Sequence, residues 1–149
     1  MARAKFQVLI IPFRKSGSNY EFAVFKRSDG DYWQGIAGGG EDNETPLEGA
    51  RREAEDEAGI PGYLPFYRLQ TIASIPVCHF AAREQWPEGL YVIPEYSFGV
   101  DCTGHEIRLS REHDEFKWGS YEEINRCLTW DSNKTALWEL NERLRKHDL

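Results

Sequence analysis

Apolar positions are concentrated early in the chain. Residues 6–13 (FQVLIIPF) form a nearly continuous apolar run of strand length, the pattern of a strand covered on both faces. Lys-Ser-Gly-Ser-Asn at 15–19 reads as a turn, and residues 20–27 as its hairpin partner. Asp29-Gly30-Asp31 marks another turn, followed by a short strand over 33–36 that enters the glycine-rich loop Gly38-Gly39-Gly40. Further strand-like runs occupy 67–81 and 91–101, separated by an irregular 83–89, and a short one covers 115–118.

Helix signals are sharper. Thr45-Pro46-Leu47-Glu48 is a capping box with proline at the first helical position, and Gly59 followed by Pro61 ends the helix. At about 100° per residue, Leu47, Ala50, Ala54 and Ala58 fall within roughly 80° of one another, a small-residue face that can approach a sheet closely. Ser120-Tyr121-Glu122-Glu123 is a second capping box opening a short helix toward Leu128. Asp131 or Ser132 is expected to cap a last helix carrying Ala136, Leu137, Leu140 and Leu144 at helical spacing. Mostly strands, one central helix and terminal helices predict a mixed-sheet α+β or α/β sandwich.

The 149 residues suit one domain, spanning 1–149, with a sizeable core. A net charge of −7 argues against a nucleic-acid polymer or an anionic membrane as partner, but not against a small phosphorylated substrate, because a bound cation inverts the local field. Cys78, Cys102 and Cys127 are odd in number and form no C-x-x-C pair, which points to a reducing compartment. The early apolar run is too short for a signal core or a membrane span, so a cytoplasmic protein is expected.

Acidic residues crowd the segment 38–60, and three of them sort to one side of the predicted helix. Glu53, Asp56 and Glu57 stand at i, i+3 and i+4, on a different face from the alanines. A solvated face with pairs such as Arg51–Glu55 is the plain alternative. Against it, like charges at i and i+4 cost a few tenths of a kcal/mol when nothing neutralises them. Oxygen donors without histidine or cysteine select a hard cation, Mg2+ or Mn2+, which takes its remaining ligands from water and substrate phosphates. The chemistry implied is phosphoryl or pyrophosphoryl hydrolysis.

These residues resemble the Nudix box, G-x5-E-x7-R-E-U-x-E-E-x-G-U with U aliphatic. Gly38, Glu44, Arg52, Glu53, Glu57, Gly59 and Ile60 match at the required spacing. Two positions depart: Ala54 is a small aliphatic, and Asp56 replaces the first glutamate of the pair, shortening a metal ligand by one methylene. The resemblance implies an α/β/α sandwich with a loop–helix–loop motif, and Mg2+-dependent hydrolysis of a nucleoside diphosphate linked to a group X. It implies Glu53 and Glu57 as central metal ligands, Asp56 as a third and the carbonyl of Ala37 as a fourth, with Gly38 and Gly39 beside the phosphates. Glu44 and Arg52 would brace the loop against the helix, and Gly59 would close it.

Outside the box, relatives supply a further acid near the last strand. In residues 110–118 (SREHDEFKW), Glu115 is the first candidate and Glu112 the second, while His113 reads as structural. Arg27 is the candidate phosphate contact, and Trp33 either stacks on a base or packs in the core. The segment 130–140 (WDSNKTALWEL), with Trp33-Gln34 before the box, is similar to dihydroneopterin triphosphate and dATP pyrophosphohydrolases, which implicates Asn133 and Lys134 at the start of the last helix. Some relatives dimerise, which leaves a homodimer open.

Overall fold

Strand β1 (Arg3–Ser16) is the spine of the molecule. In this computed structural model, which describes residues 2–111 and 113–149, the strand pairs along both edges. Residues 7–13 run parallel to β6 (Val92–Asp101). The opposite edge is shared in sequence, first by β4 (Ile36–Glu41) and then by β2 (Asn19–Arg27), both antiparallel. The two-residue β3 (Trp33–Gln34) and β7 (His113–Gly119) extend β2, and β5 (Phe66–Pro76) closes the far edge against β6. The result is a seven-stranded mixed sheet.

Both faces of this sheet are covered. Val8 and Ile10 turn toward α1 (Pro46–Ala58), where they join Phe25, Ile36 and Phe98 against Ala50, Ala54 and Ala58. The alternate residues Leu9, Ile11 and Phe13 face α2 (Tyr121–Cys127) and α3 (Asp131–Arg145), packing with Phe22, Leu137 and Leu140. A period-two alternation with both sets buried explains why residues 8–13 carry no charge. Each fully buried aliphatic side chain contributes about 1.5–3 kcal/mol. Close approach on the second face depends on Gly99, where a Cβ would stand 2.7 Å from Leu140 Cδ1. The arrangement is the α/β/α sandwich expected.

Local signals account for the helix ends. Thr45 and Glu48 form the expected capping box, and Gly59 ends α1 in the left-handed conformation at φ +64°. Ser120 and Glu123 repeat the box at α2. The last helix differs: Trp130 is its N-cap and makes no side-chain cap bond, while Asp131 already lies in the first turn. The glycines differ too. Gly38, Gly39 and Gly40 are not a loop but the body of β4, because β1 offers them a partner edge, Val8 opposite Gly38 and Gln7 opposite Gly39. The strand expected over 67–81 stops at Pro76, after which the chain makes two short 3-10 turns, Val77–His79 and Ala81–Gln85. Among the described residues no helix is long and apolar enough to cross a membrane.

Candidate active site

The junction of β4 and α1 is assembled around Arg52. Its Nε donates to Glu44 Oε2 at 2.8 Å and its Nη2 to Glu44 Oε1 at 2.9 Å, while Nη1 donates to Glu53 Oε1 at 2.9 Å. Nη2 also reaches the carbonyl of Gly39 at 2.8 Å, so one guanidinium ties the helix to both the loop and the strand. The backbone N–H of Glu41 completes Glu44 at 2.8 Å. Hydrogen bonding to Arg52 holds the Glu44 carboxyl below the usual carboxylate range, and Glu44 with Glu53 holds the Arg52 guanidinium above its ordinary value.

Glu53 and Glu57 stand one turn apart on α1. The side chain of Glu53 is 14% exposed and Glu57 is buried, whereas Asp56 lies exposed on the same helix. Glycine is required opposite Glu53: a Cβ on Gly38 would collide with the whole carboxylate, no farther than 2.7 Å from any of its three atoms. Gly39 is covered instead by the Arg3 guanidinium. Among the described residues the Arg51–Glu55 pair of the plain alternative does not form; Arg51 lies over the Phe66 ring and Glu55 accepts from the Gly62 N–H. Gly59 packs against Arg108, whose N–H donates to Ala58, so the end of α1 is pinned by the segment after β6.

Among the described residues no three histidine, cysteine or acidic side chains converge closely enough to hold an ion unaided. The donor set at the junction is nonetheless all oxygen, with the buried Glu57 and the Arg52-held Glu53 on adjacent turns. Such a set suits a hard cation that takes its remaining ligands from water and phosphate.

Beside this junction opens a cavity of about 590 Å3. Ala37, the residue before Gly38, lies on its wall, as do Arg27 and Asn133. Arg27 is braced by Asp29 through Nε and Nη2, at 3.1 and 2.9 Å. Asn133 is buried and accepts the Gly35 N–H at 2.8 Å, fixing the start of α3 to the bend between β3 and β4. Lys134 lies in the first turn of α3 but does not line the cavity. Neither does Trp33: it packs in the core on the α3 side, with Lys117 Nζ 4.5 Å over its ring. Its neighbours Tyr32 and Gln34 take the cavity wall instead, since alternate strand residues point to opposite faces.

Glu115 sits on β7 opposite Lys26, with 4.0 Å between Oε1 and Nζ, and is not on the cavity wall. Glu112 lies outside the described residues. His113 is buried against the Phe25 ring. A smaller cavity of about 200 Å3, near Arg143 and His147, contains none of the box residues.

Tyr32, Phe80 and Glu95 of the cavity wall escaped the sequence reading, whereas Trp130 and Gln34 lie in the segments whose similarity it noted. Tyr32 and Trp130 meet edge to face at 5.3 Å, and Trp130 Nε1 donates to Gln34 Oε1 at 3.0 Å. Glu95 lies in the wall at 5% exposure. Burial pushes its carboxyl up to about 7, opposed by a hydrogen bond from Ser132. Its signal in the sequence is a lone charge inside the strand-like run 92–100.

The NUDIX domain pattern matches residues 5–138. The asymmetrical bis(5'-nucleosyl)-tetraphosphatase of Mus musculus is 30% identical over 132 residues, covering 87% of this chain and 84% of the mouse protein. Among solved structures, a NUDIX-family protein of Listeria monocytogenes superposes with a TM-score of 0.89 at 47% identity, over 97% of both chains. The dihydroneopterin triphosphate pyrophosphohydrolase of E. coli shares the fold, with a TM-score of 0.76 at 21% identity over 96% of this chain and 99% of that one. With the box residues in place on the β4–α1 junction, the chain belongs to the NUDIX family and, with it, to the hydrolases of pyrophosphate bonds.

Proposed function

We propose that this chain is a Mg2+-dependent pyrophosphohydrolase that cleaves a nucleoside or pterin triphosphate and releases pyrophosphate. One observation carries the reading. Glu53 and Glu57 stand on α1, Glu53 held by Arg52 and facing the bare Cα of Gly38, the residue next to Ala37 of the cavity wall. In this reading phosphates lie along the β4 backbone between the cavity and the two acids.

Glu53, Glu57 and Asp56, with the Ala37 carbonyl, would hold the cation. When bound it would offset phosphate charge and lower the pKa of a water at the scissile phosphorus. Arg52 keeps Glu53 aimed. Glu57, buried, presents its carboxylate from a low-dielectric site and is given the role of accepting the water's proton. Arg27, held by Asp29 on the cavity wall, would bind a substrate phosphate. The absence of C-x-x-C spacing, together with three free cysteines, favours a cytoplasmic setting.

A second reading, hydrolysis of a dinucleoside tetraphosphate, draws on the mouse relative's name and identity. One assay separates the two: nucleoside triphosphates, dihydroneopterin triphosphate, dinucleoside polyphosphates and nucleotide sugars incubated with Mg2+, products identified. Pyrophosphate released from a triphosphate supports the first reading. Preference for the dinucleoside compound supports the second, and turnover of none of them overturns both.

A further inference from the structure

Strand β6 carries a single charge between Val92 and Val100, and that charge is buried inside the cavity wall. Ile93 and Ser97, two residues either side, are also buried, so the Glu95 side chain emerges from a closed part of the sheet. Ser132 donates to its carboxylate. The other oxygen, Oε1, is buried and accepts no hydrogen bond among the described residues. Burial of an ionised carboxylate with one neutral donor is costly, and the cost is relieved by donors brought in from outside.

The side-chain oxygens of the neighbouring amides are already engaged. Gln34 accepts from Trp130, and Gln7, opposite Glu95 on β1, accepts from Arg3 Nη2 at 2.8 Å. Asn133 donates to Ser132 Oγ at 3.2 Å while accepting from Gly35. Tyr32, Phe80 and Trp130 supply flat apolar walls suited to a ring.

We propose that Glu95 reads the edge of the substrate's ring, selecting one that presents an N–H beside an exocyclic amino group. This rests on the proposed hydrolysis of a ring-bearing triphosphate. Two adjacent donors match two carboxylate oxygens. Guanine and pterins carry that pair. Adenine and cytosine set a lone-pair nitrogen beside the amino group, which a carboxylate repels, and uracil has a single N–H between carbonyls. A bidentate contact of this kind discriminates by roughly 10- to 100-fold.

The test is calorimetric binding of GMP, neopterin monophosphate, AMP and CMP to the full chain with Mg2+ present at pH 8.5, where Glu95 is ionised. None of these has a pyrophosphate linkage, so binding is read without turnover. GMP or neopterin monophosphate should bind about tenfold or more tightly than AMP and CMP. Which of the two binds better identifies the purine or the pterin as the ring. In Glu95→Gln the preference should vanish, with Glu95→Asp as a second variant if the first does not fold. Equal or tighter binding of AMP by the unaltered chain overturns the proposal, as does a preference that survives in Glu95→Gln. Selective binding without hydrolysis of any triphosphate would leave Glu95 its role and remove the proposed reaction; hydrolysis indifferent to the ring would do the reverse.

Discussion

Arg52 holds Glu44 side-on, Nε to one carboxylate oxygen and Nη2 to the other, across a gap of eight residues. Two parallel charge-assisted bonds fix distance and orientation together. Because the same guanidinium also holds Glu53 and the Gly39 carbonyl, the position of the Glu53 carboxylate depends on Arg52 and, through it, on Glu44.

Glu44→Gln removes the charge and one acceptor from that arrangement. The loss should be about 1–3 kcal/mol near pH 7, seen as a Tm lower by roughly 2–10 °C. Arg52 depresses the Glu44 carboxyl in the folded state, so its contribution is present above the unfolded carboxyl range and fades as the pH falls through the folded value. Melts of both proteins at pH 7 and at pH 3 should therefore converge at the lower pH.

Gly38→Ala tests whether the bare backbone matters. Its methyl group would occupy the place of the Glu53 carboxylate. The expected outcome is a fall in turnover of about 100-fold, the scale on which a roughly 1 Å misplacement acts, with little loss of Tm. Gly39→Ala would displace the Arg3 side chain instead and should cost far less activity. Steady-state rates of the two variants, measured side by side, check this.

Glu95 gives a pH dependence of the opposite sign to Glu44. Its folded-state carboxyl lies near 7, above the unfolded value, so the folded chain loses stability relative to the unfolded one as pH rises from about 4.5 to 7. Glu95→Gln, which does not ionise, should melt close to the unaltered chain at pH 4.5 and several degrees higher at pH 8. Thermal melts across that range in the absence of nucleotide measure the difference.

Asn133→Ala leaves the buried Gly35 N–H without its acceptor. About 1–3 kcal/mol of stability should go, together with the anchoring of α3 to the bend before β4. Denaturant unfolding at constant m-value reads the first effect. A raised KM with kcat preserved reads the second.

Much of this was legible in the residues themselves. The helix of the box could be read to within a residue because Thr45, Glu48 and Gly59 act locally, through caps that need no tertiary partner. The brace of Glu44 and Arg52 was implied by the resemblance to the Nudix box. The glycines were misjudged as loop because their pairing with β1 lies some thirty residues away in the chain, and no local signal reports it. Trp33 and Tyr32 show the same limit: strand alternation says that neighbours face opposite ways, but not which of them meets the cavity. Glu95 and Trp130 become cavity residues only when β6, β3 and the start of α3 are folded together.

The central claim, that the acids of α1 perform the chemistry, is tested most directly by the Mg2+-dependent turnover of Glu57→Gln on the best triphosphate of the panel. Its fold should persist, with kcat reduced about 100-fold or more, the scale of general base catalysis. Unchanged kcat in a well-folded Glu57→Gln protein would contradict the account.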